Sequence, residues 1–191
     1  MIFETFAKDE LQWLNRLGIG FYNTPKCSIA SKDVAKSLID ERIQLVKKYT
    51  SLDVLDIGSK QFAIAASLDM PNVKCFSTNK DDVKLLVDNK LYRHPFKGAT
   101  SLTFWNTFQN IADPRLHLSG ADEYVFISCP IYNEVSEVRK VDGQFWYFTV
   151  NGIVNFMKPF GFEIQEVNWM EKWYIQDNIG TFVFKRTSDL E

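Results

Sequence analysis

The chain has 191 residues, of which 46% are apolar and 24% charged, so its size and composition are those of one compact globular domain. Its 22 basic and 24 acidic residues leave a formal net charge of −2 at pH 7, which excludes nucleic-acid binding through an overall positive field. Two histidines, and three cysteines without C-x-x-C spacing, argue against a metal site and a disulfide framework.

No apolar run approaches the roughly 20 residues that a membrane-spanning helix needs. The first ten residues carry Glu4 and Asp9 instead of a basic segment followed by an apolar one, so they do not resemble a secretory signal. We therefore expect no membrane partner and a cytoplasmic location.

Apolar residues at helical spacing predict a short helix over Phe3–Leu17 and an amphipathic helix that Ser31 caps and that ends near Tyr49. Short apolar runs then alternate with helix-length segments. The predicted strands are Leu52–Ile57, Asn72–Ser77, Ser101–Trp105, Glu123–Ser128, Phe162–Trp169 and Thr181–Lys185, and the predicted helices are Phe62–Asp69, Lys80–Asp88 with an Asn79 cap, and Gly152–Lys158.

This alternation predicts an α/β fold, with a mostly parallel sheet covered by helices and with ligands outside the carboxyl ends of the strands. The last two predicted strands follow one another without a helix between them. We therefore expect them to be antiparallel.

The segment Val54-Leu55-Asp56-Ile57-Gly58 occupies the turn from the first predicted strand into a helix, where nucleotide-type cofactors are cradled. It resembles the first half of the Asp-x-Gly-x-Gly-x-Gly motif of class I S-adenosylmethionine-dependent methyltransferases. The segment from Ser101 to Pro114 resembles the family's fourth-strand segment, a Phe-Trp-Asp-x-Leu-Glu-His-Ile pattern followed by Asp-Pro.

Later segments, beginning at Tyr124, Phe145 and Asp177, resemble the closing strands and helix of small bacterial and phage-encoded members of this family. The resemblance implies a Rossmann-like class I methyltransferase fold, with a mostly parallel sheet of about seven strands and an antiparallel C-terminal strand. It places this domain over residues 51–191, after an N-terminal helical extension over residues 1–50. A phage-encoded member would work in the host cytoplasm.

The chain departs from the family's cofactor motif after Gly58. The second and third glycines of the motif fall at Lys60 and Phe62, whose side chains we expect to crowd the pocket. The acidic residue that accepts hydrogen bonds from the ribose falls at Ser77, with Asn79 close by, and a hydroxyl accepts less strongly than a carboxylate.

The family's Asp, Glu and His of the fourth-strand segment fall at Asn106, Gln109 and Asn110. These neutral near-isosteres retain shape and hydrogen bonding but remove charge and proton transfer. The predicted cofactor-binding residues are Asp56, Gly58, Lys60, Ser77, Asn79 and Asn106; we predict no metal ligand and assign no catalytic residue.

The function that follows is a methyltransferase-like protein with an eroded S-adenosylmethionine site, a pseudoenzyme serving as a binding or structural module. Two alternatives stay open: an active methyltransferase on a small molecule or polymer end, and a phosphate-bearing ligand held by Lys60.

Two further patterns favour structural interpretations. The segment from Cys129 to Tyr132 faintly resembles the Asn/Asp-Pro-Pro-Tyr loop of nucleic-acid methyltransferases, but Cys129 is better explained as a buried thiol at a strand end. The aromatic residues of Phe145–Phe148 and Trp169–Tyr174 favour core packing and a lid over the cleft more than base stacking. Exposed aromatics in the region from Ile131 to Tyr147 would instead indicate a protein partner or a homo-oligomer.

Overall fold

The structure is a computed structural model that describes residues 32–95, 99–133, 144–169 and 179–187. The predicted helix over Phe3–Leu17, the Ser31 cap and Cys27 lie outside these residues. The helices are α1 (Lys32–Tyr49), α2 (Lys60–Ala66), α3 (Lys80–Asp88), α4 (Arg115–Leu118) and α5 (Val150–Met157), with 3-10 turns at Phe108–Asn110 and Lys158–Phe160. The strands are β1 (Val54–Ile57), β2 (Val73–Phe76), β3 (Ala99–Trp105), β4 (Ala121–Pro130), β5 (Phe162–Trp169) and β6 (Ile179–Arg186).

The strands form one sheet in the order β2-β1-β3-β4-β6-β5. Strands β2, β1, β3 and β4 run parallel to one another, and β6 is antiparallel to both β4 and β5. This confirms the predicted mostly parallel sheet with an antiparallel end. This is the Rossmann-like arrangement of the class I methyltransferase fold.

The sheet has six strands among the described residues, fewer than the seven expected. Beyond β2, where a further strand would extend the sheet, the chain makes one parallel bridge between Cys75 and Tyr92. Pro95 follows three residues later, and a proline has no backbone N–H to continue a ladder. Among the residues that the structure describes, the pairing at this edge is therefore a single bridge.

Two apolar clusters lie on opposite faces of the sheet. One joins strand residues to α1, α2 and α3, through residues such as Val46, Phe62 and Leu86. The other joins strand residues to α4 and α5, through Leu118, Ile153 and Met157. Strand β1 is buried on both faces, as its continuous apolar run predicted, whereas the edge strand β5 alternates between exposed and more buried side chains.

Local capping sets the starts of two helices. The Asn79 side-chain oxygen accepts hydrogen bonds from the Asp81 and Asp82 amides, as predicted, and the Thr149 hydroxyl accepts one from the Gly152 amide at 3.0 Å. None of the described helices combines the length and apolarity that a membrane span requires.

Candidate functional site

Three of the predicted cofactor-binding residues meet at the carboxyl edge of the sheet. Gly58 directly follows β1, Ser77 directly follows β2 and Asn106 directly follows β3, and these three strands are parallel neighbours in the sheet. The Gly58 amide donates to the Phe76 carbonyl at 2.9 Å, and the Asn106 amide donates to the Ser128 carbonyl at 2.8 Å. The register of the sheet therefore brings these residues to one edge.

Two of these strand-end residues have left-handed backbone conformations. Gly58 has a φ of 93° and Asn106 a φ of 58°. Glycine adopts this region without a Cβ clash, and asparagine tolerates it better than most residues. The Thr107 hydroxyl donates to the Ile57 carbonyl at 2.8 Å, so the two turns are tied together.

Asp56 lies beneath this edge, with its carboxylate fully buried between the strands. One carboxylate oxygen accepts from the Thr103 hydroxyl at 2.6 Å, and the other accepts from the Ser59 amide at 2.7 Å and faces the Cys75 thiol at 3.6 Å. Burial raises the pKa of Asp56 to about 7, and the hydrogen bonds from these three groups and the charge of Arg42 oppose the rise. Asp56 therefore holds the β1–α2 turn in place from inside the sheet.

Lys60, Asp82 and Ser77 form a polar network across the starts of α2 and α3, which we call the Lys60–Asp82–Ser77 network. The Lys60 ammonium donates to one oxygen of Asp82, and the Ser77 hydroxyl lies 3.5 Å from the other. The same hydroxyl accepts from the Asn79 amide at 3.2 Å. Since Asn79 also caps α3, these predicted ligand-binding groups are engaged within the chain.

Phe62 does not crowd the pocket, so that part of the sequence prediction is wrong. Its side chain is fully buried, with its ring 5.2 Å from the ring of Trp105. Position 62 lies on the inner face of α2, where an aromatic side chain fills the core between the helix and the sheet. Of the two residues that replace motif glycines, only Lys60 therefore has a side chain outside the core.

The neutral residues that replace the family's Glu and His are interior. Gln109 is 4% and Asn110 is 2% exposed. The Gln109 side chain donates to the Asn106 carbonyl at 3.2 Å, and its backbone carbonyl accepts from the Phe145 and Trp146 amides at 2.9 and 3.2 Å. These residues position the aromatic segment that follows residue 143.

That aromatic segment combines core packing with a position along the strand ends. Trp146 donates its indole N–H to the Ile111 carbonyl at 2.7 Å, and its ring stacks on Phe148, which bridges to Ile131 at the end of β4. Phe145 is 45% exposed. The second predicted aromatic group is described only at Trp169, because Trp173 and Tyr174 lie outside the described residues.

The two described cysteines are interior thiols. Burial raises the pKa of both Cys75 and Cys129. Neither has the lowered pKa of a nucleophile, and the prediction of a buried thiol at position 129 is confirmed. Within the described ranges, no cluster of three or more His, Cys, Asp or Glu side chains has metal-binding geometry.

Sequence reasoning missed three residues that shape the site. Thr103 bonds Asp56, Thr107 ties two turns together, and Arg42 lies with its guanidinium carbon 4.9 Å from the Trp105 ring centroid. Alternation along β3 could have placed Thr103 on the same face as Trp105. No local signal could have located Arg42, because α1 reaches β3 only through tertiary packing.

The fold defined by this sheet and its strand-end turns is that of the class I S-adenosylmethionine-dependent methyltransferases. The magnesium protoporphyrin IX methyltransferase ChlM from Synechocystis PCC 6803 with bound SAH is similar at a TM-score of 0.58, with 10% identity over 97% of this chain and 98% of that chain. The 4+2 cyclase SpnF is similar at a TM-score of 0.64, with 11% identity over 98% and 96%. The methyltransferase domain of bacterial CtHen1-C has a TM-score of 0.57 and 10% identity over 81% and 100%.

No family model and no curated protein matches the sequence. At such low identity the solved structures establish the fold alone. Since the neighbours include a cyclase as well as methyltransferases, the fold does not specify the reaction.

Proposed function

We propose that this chain is a methyltransferase-fold protein whose S-adenosylmethionine site is eroded, and that it serves as a binding or structural module with weak or no methyl transfer. The observation that carries the proposal is the Lys60–Asp82–Ser77 network. Lys60 stands at the position of the motif's second glycine, and Ser77 stands at the position of the ribose-binding acid. Both side chains already contact Asp82.

The residues present do not fit S-adenosylmethionine in the way that the family resemblance implies. A glycine at position 60 would let a ligand approach the backbone, whereas the Lys60 side chain extends from this point to Asp82. Ser77 provides a neutral hydroxyl that already accepts from the Asn79 amide. A ribose would have to displace these contacts without a charge-assisted acceptor in return.

The chemistry of the strand-end residues supports the same proposal. Asn106, Gln109 and Asn110 cannot accept a proton near neutral pH, so they provide no general base at the positions that the family resemblance highlights. Methyl transfer there would depend on positioning and desolvation alone.

Calorimetric titration of the full chain with S-adenosylmethionine and S-adenosylhomocysteine tests the proposal. We expect no heat of binding at millimolar ligand for the wild type, and measurable binding once Lys60→Gly and Ser77→Asp are combined. Lys84→Gly, at an exposed lysine in α3, controls for the helix destabilisation that a new glycine causes. Micromolar binding by the wild type that disappears in Gly58→Arg would overturn the proposal.

An active methyltransferase is the second candidate, favoured by the conformations of Gly58 and Asn106. A non-glycine residue with a φ of 58° at a strand end is typical of functional sites. The same titration separates the two candidates, because an active enzyme must bind S-adenosylmethionine before any transfer.

For the structural-module role we propose a protein partner or a second copy, docked on exposed aromatic surface. Phe145 is 45% and Trp169 is 43% exposed, and Trp169 lies on the edge strand β5. Multi-angle light scattering measures the mass in solution. A monomer at all concentrations would rule out the second copy, and unchanged association in Trp169→Ser would rule out this surface.

A further inference from the structure

The Asp56 carboxyl group connects the turn between β1 and α2 to the two strands on either side of β1. Its Oδ2 accepts from the Ser59 amide of the turn at 2.7 Å and from the Cys75 thiol of β2 at 3.6 Å. Its Oδ1 accepts from the Thr103 hydroxyl of β3 at 2.6 Å. A change in the charge of this group therefore acts directly on the turn that carries Gly58.

The neighbours of Asp56 determine which of its oxygens takes up a proton. A backbone N–H can only donate, so the Ser59 amide keeps Oδ2 as an acceptor. A thiol sulfur is a weak acceptor, whereas a hydroxyl accepts as well as donates. The Thr103 hydroxyl can therefore rotate and accept the proton of a neutral Asp56. The geometry places that proton on Oδ1, between Asp56 and Thr103.

Protonation changes the strength of the bond to the turn without breaking it. A hydrogen bond to an ionised acceptor is roughly twice as strong as one to a neutral acceptor, so the Ser59 amide is held more firmly when Asp56 is ionised. The effect on the whole chain has the opposite sign, because burial makes the charged form costly. Ionisation thus tightens the turn while it lowers the stability of the fold.

The ionisable groups that face Asp56 leave this charge change in place. Burial raises the pKa of Asp56 to about 7, and its three hydrogen-bond donors and the charge of Arg42 on α1 oppose the rise. From β2 it faces Cys75, whose pKa is raised by burial and by the charges of Asp56 and of Asp82 on α3. From β3 and the turn it faces a hydroxyl and a backbone amide, which do not titrate. Of these groups, only Asp56 changes its protonation near neutral pH.

We propose that Asp56 and Thr103 form a pH switch for the β1–α2 turn, which is held firmly at Ser59 when Asp56 is ionised and opens locally more often when a proton lies between Oδ1 and Thr103. The switch exchanges one proton with solvent and breaks no covalent bond other than that O–H bond. A ligand that contacts this turn will bind with a pH dependence set by Asp56. The inference does not depend on whether that ligand is S-adenosylmethionine.

Amide hydrogen exchange followed by NMR on the full chain tests the switch. We expect the protection factor of Ser59, corrected for the base catalysis of exchange, to rise about fivefold between about pH 5.5 and pH 8.5. The amide of Phe126, on the interior strand β4, reports global unfolding and should lose protection over the same range. A Ser59 protection factor that stays constant, or that falls in parallel with that of Phe126, overturns the proposal.

Substitutions assign the effect to the pair. Asp56→Asn is neutral at every pH and can donate an N–H to Thr103, so its Ser59 amide should match that of the wild type in acid and should not titrate. We expect Thr103→Val, which removes a hydrogen bond that favours the ionised form, to shift the midpoint of the Ser59 titration upward, and Thr103→Ser to restore it. Thr181→Val, at a buried threonine on β6, is the matched control and should titrate as the wild type does.

A Ser59 titration that persists in Asp56→Asn contradicts the proposal, as does an unchanged midpoint in Thr103→Val. Because Asp56→Asn preserves the shape of the side chain, it tests the switch even if Thr103→Val fails to fold. Binding of S-adenosylmethionine by the wild type would contradict the proposed function and would leave the switch unaffected.

Discussion

Asp56 is the residue whose ionisation the fold affects most directly within the described site. Its carboxylate is fully buried and is held by the Thr103 hydroxyl and the Ser59 amide. Burial disfavours the charged form more than these two donors favour it, so its pKa rises from 3.8 to about 7. A carboxyl group at the turn after β1 therefore titrates near neutral pH.

The raised pKa predicts how Asp56 contributes to stability. The folded chain holds this proton up to about pH 7 whereas the unfolded chain releases it near pH 3.8, so the contribution is present in acid and is lost as pH rises through this window. At about 1.4 kcal/mol per pKa unit, the loss is roughly 4 kcal/mol. Between pH 5 and pH 8, which covers about two of these units, we expect Asp56→Asn to remove roughly 3 kcal/mol of this loss in urea unfolding. Asp69→Asn, at an exposed carboxylate, is the control. An identical pH dependence in Asp56→Asn and wild type would contradict the assignment.

Helix α1 is joined to the far edge of the sheet by its last turn. Glu166 on β5 accepts from the Tyr49 hydroxyl at 2.5 Å and from the Lys48 ammonium at 2.6 Å. The hydrogen bonds from Lys48 and Tyr49 lower the pKa of Glu166. Its stabilising contribution is therefore present above the ordinary carboxyl pKa and is lost as pH falls below it.

This contact predicts how α1 depends on β5. We expect Tyr49→Phe to lower the free energy of unfolding by about 1 kcal/mol, since it removes one hydrogen bond to a charged acceptor. In Glu166→Gln the effect of Tyr49→Phe should shrink, and a double-mutant cycle in urea measures the coupling. Lys47→Met is the control, because its ammonium lies 3.6 Å from Asp69 and not at β5. Additive effects of the two changes would show that the contact adds no stability.

Across the whole molecule, the two faces of the sheet hold buried groups with opposite pH responses. Asp56 shares the α1 face with its partner Cys75, whereas His117 packs against Phe76 and Phe104 on the α4 face. Burial lowers the pKa of His117 from 6.5 to about 4. The unfolded chain therefore binds this proton first as pH falls, and His117 costs stability below about pH 6.5.

Because His117 and Asp56 respond oppositely to pH, their variants should change the pH dependence of stability in opposite directions. We expect His117→Phe to raise the free energy of unfolding above that of the wild type by roughly 3 kcal/mol more at pH 4.5 than at pH 7.5, because each unit of the pKa shift is worth about 1.4 kcal/mol. Asp56→Asn should act in the other direction over the same range, and the two effects should add because the sheet separates the groups. Thermal unfolding of both single variants and the double variant measures this. A His117→Phe stability difference that does not change with pH would contradict it.

Short-range patterns determine much of this protein. Helix α3 with its Asn79 cap and strand β5 lie where hydrophobic period and capping chemistry predicted them, because both depend on neighbours a few residues away. The antiparallel pairing of the last two strands followed from the missing helix between them. The class of fold followed from the order of these elements together with the resemblance.

Tertiary structure decided what the side chains at the sheet edge do. Lys60 and Phe62 both replace glycines of the family motif, so the sequence predicted the same effect for both. In the structure Phe62 fills the core under α2, whereas Lys60 binds Asp82, 22 residues further along the chain. The Gln109 carbonyl and the backbone amides of Phe145 and Trp146 likewise meet only in the tertiary structure, because they are more than 30 residues apart in the sequence. Local spacing carries no information on which residues of parallel strands meet at one edge, because that depends on the register and on which face of each element is buried.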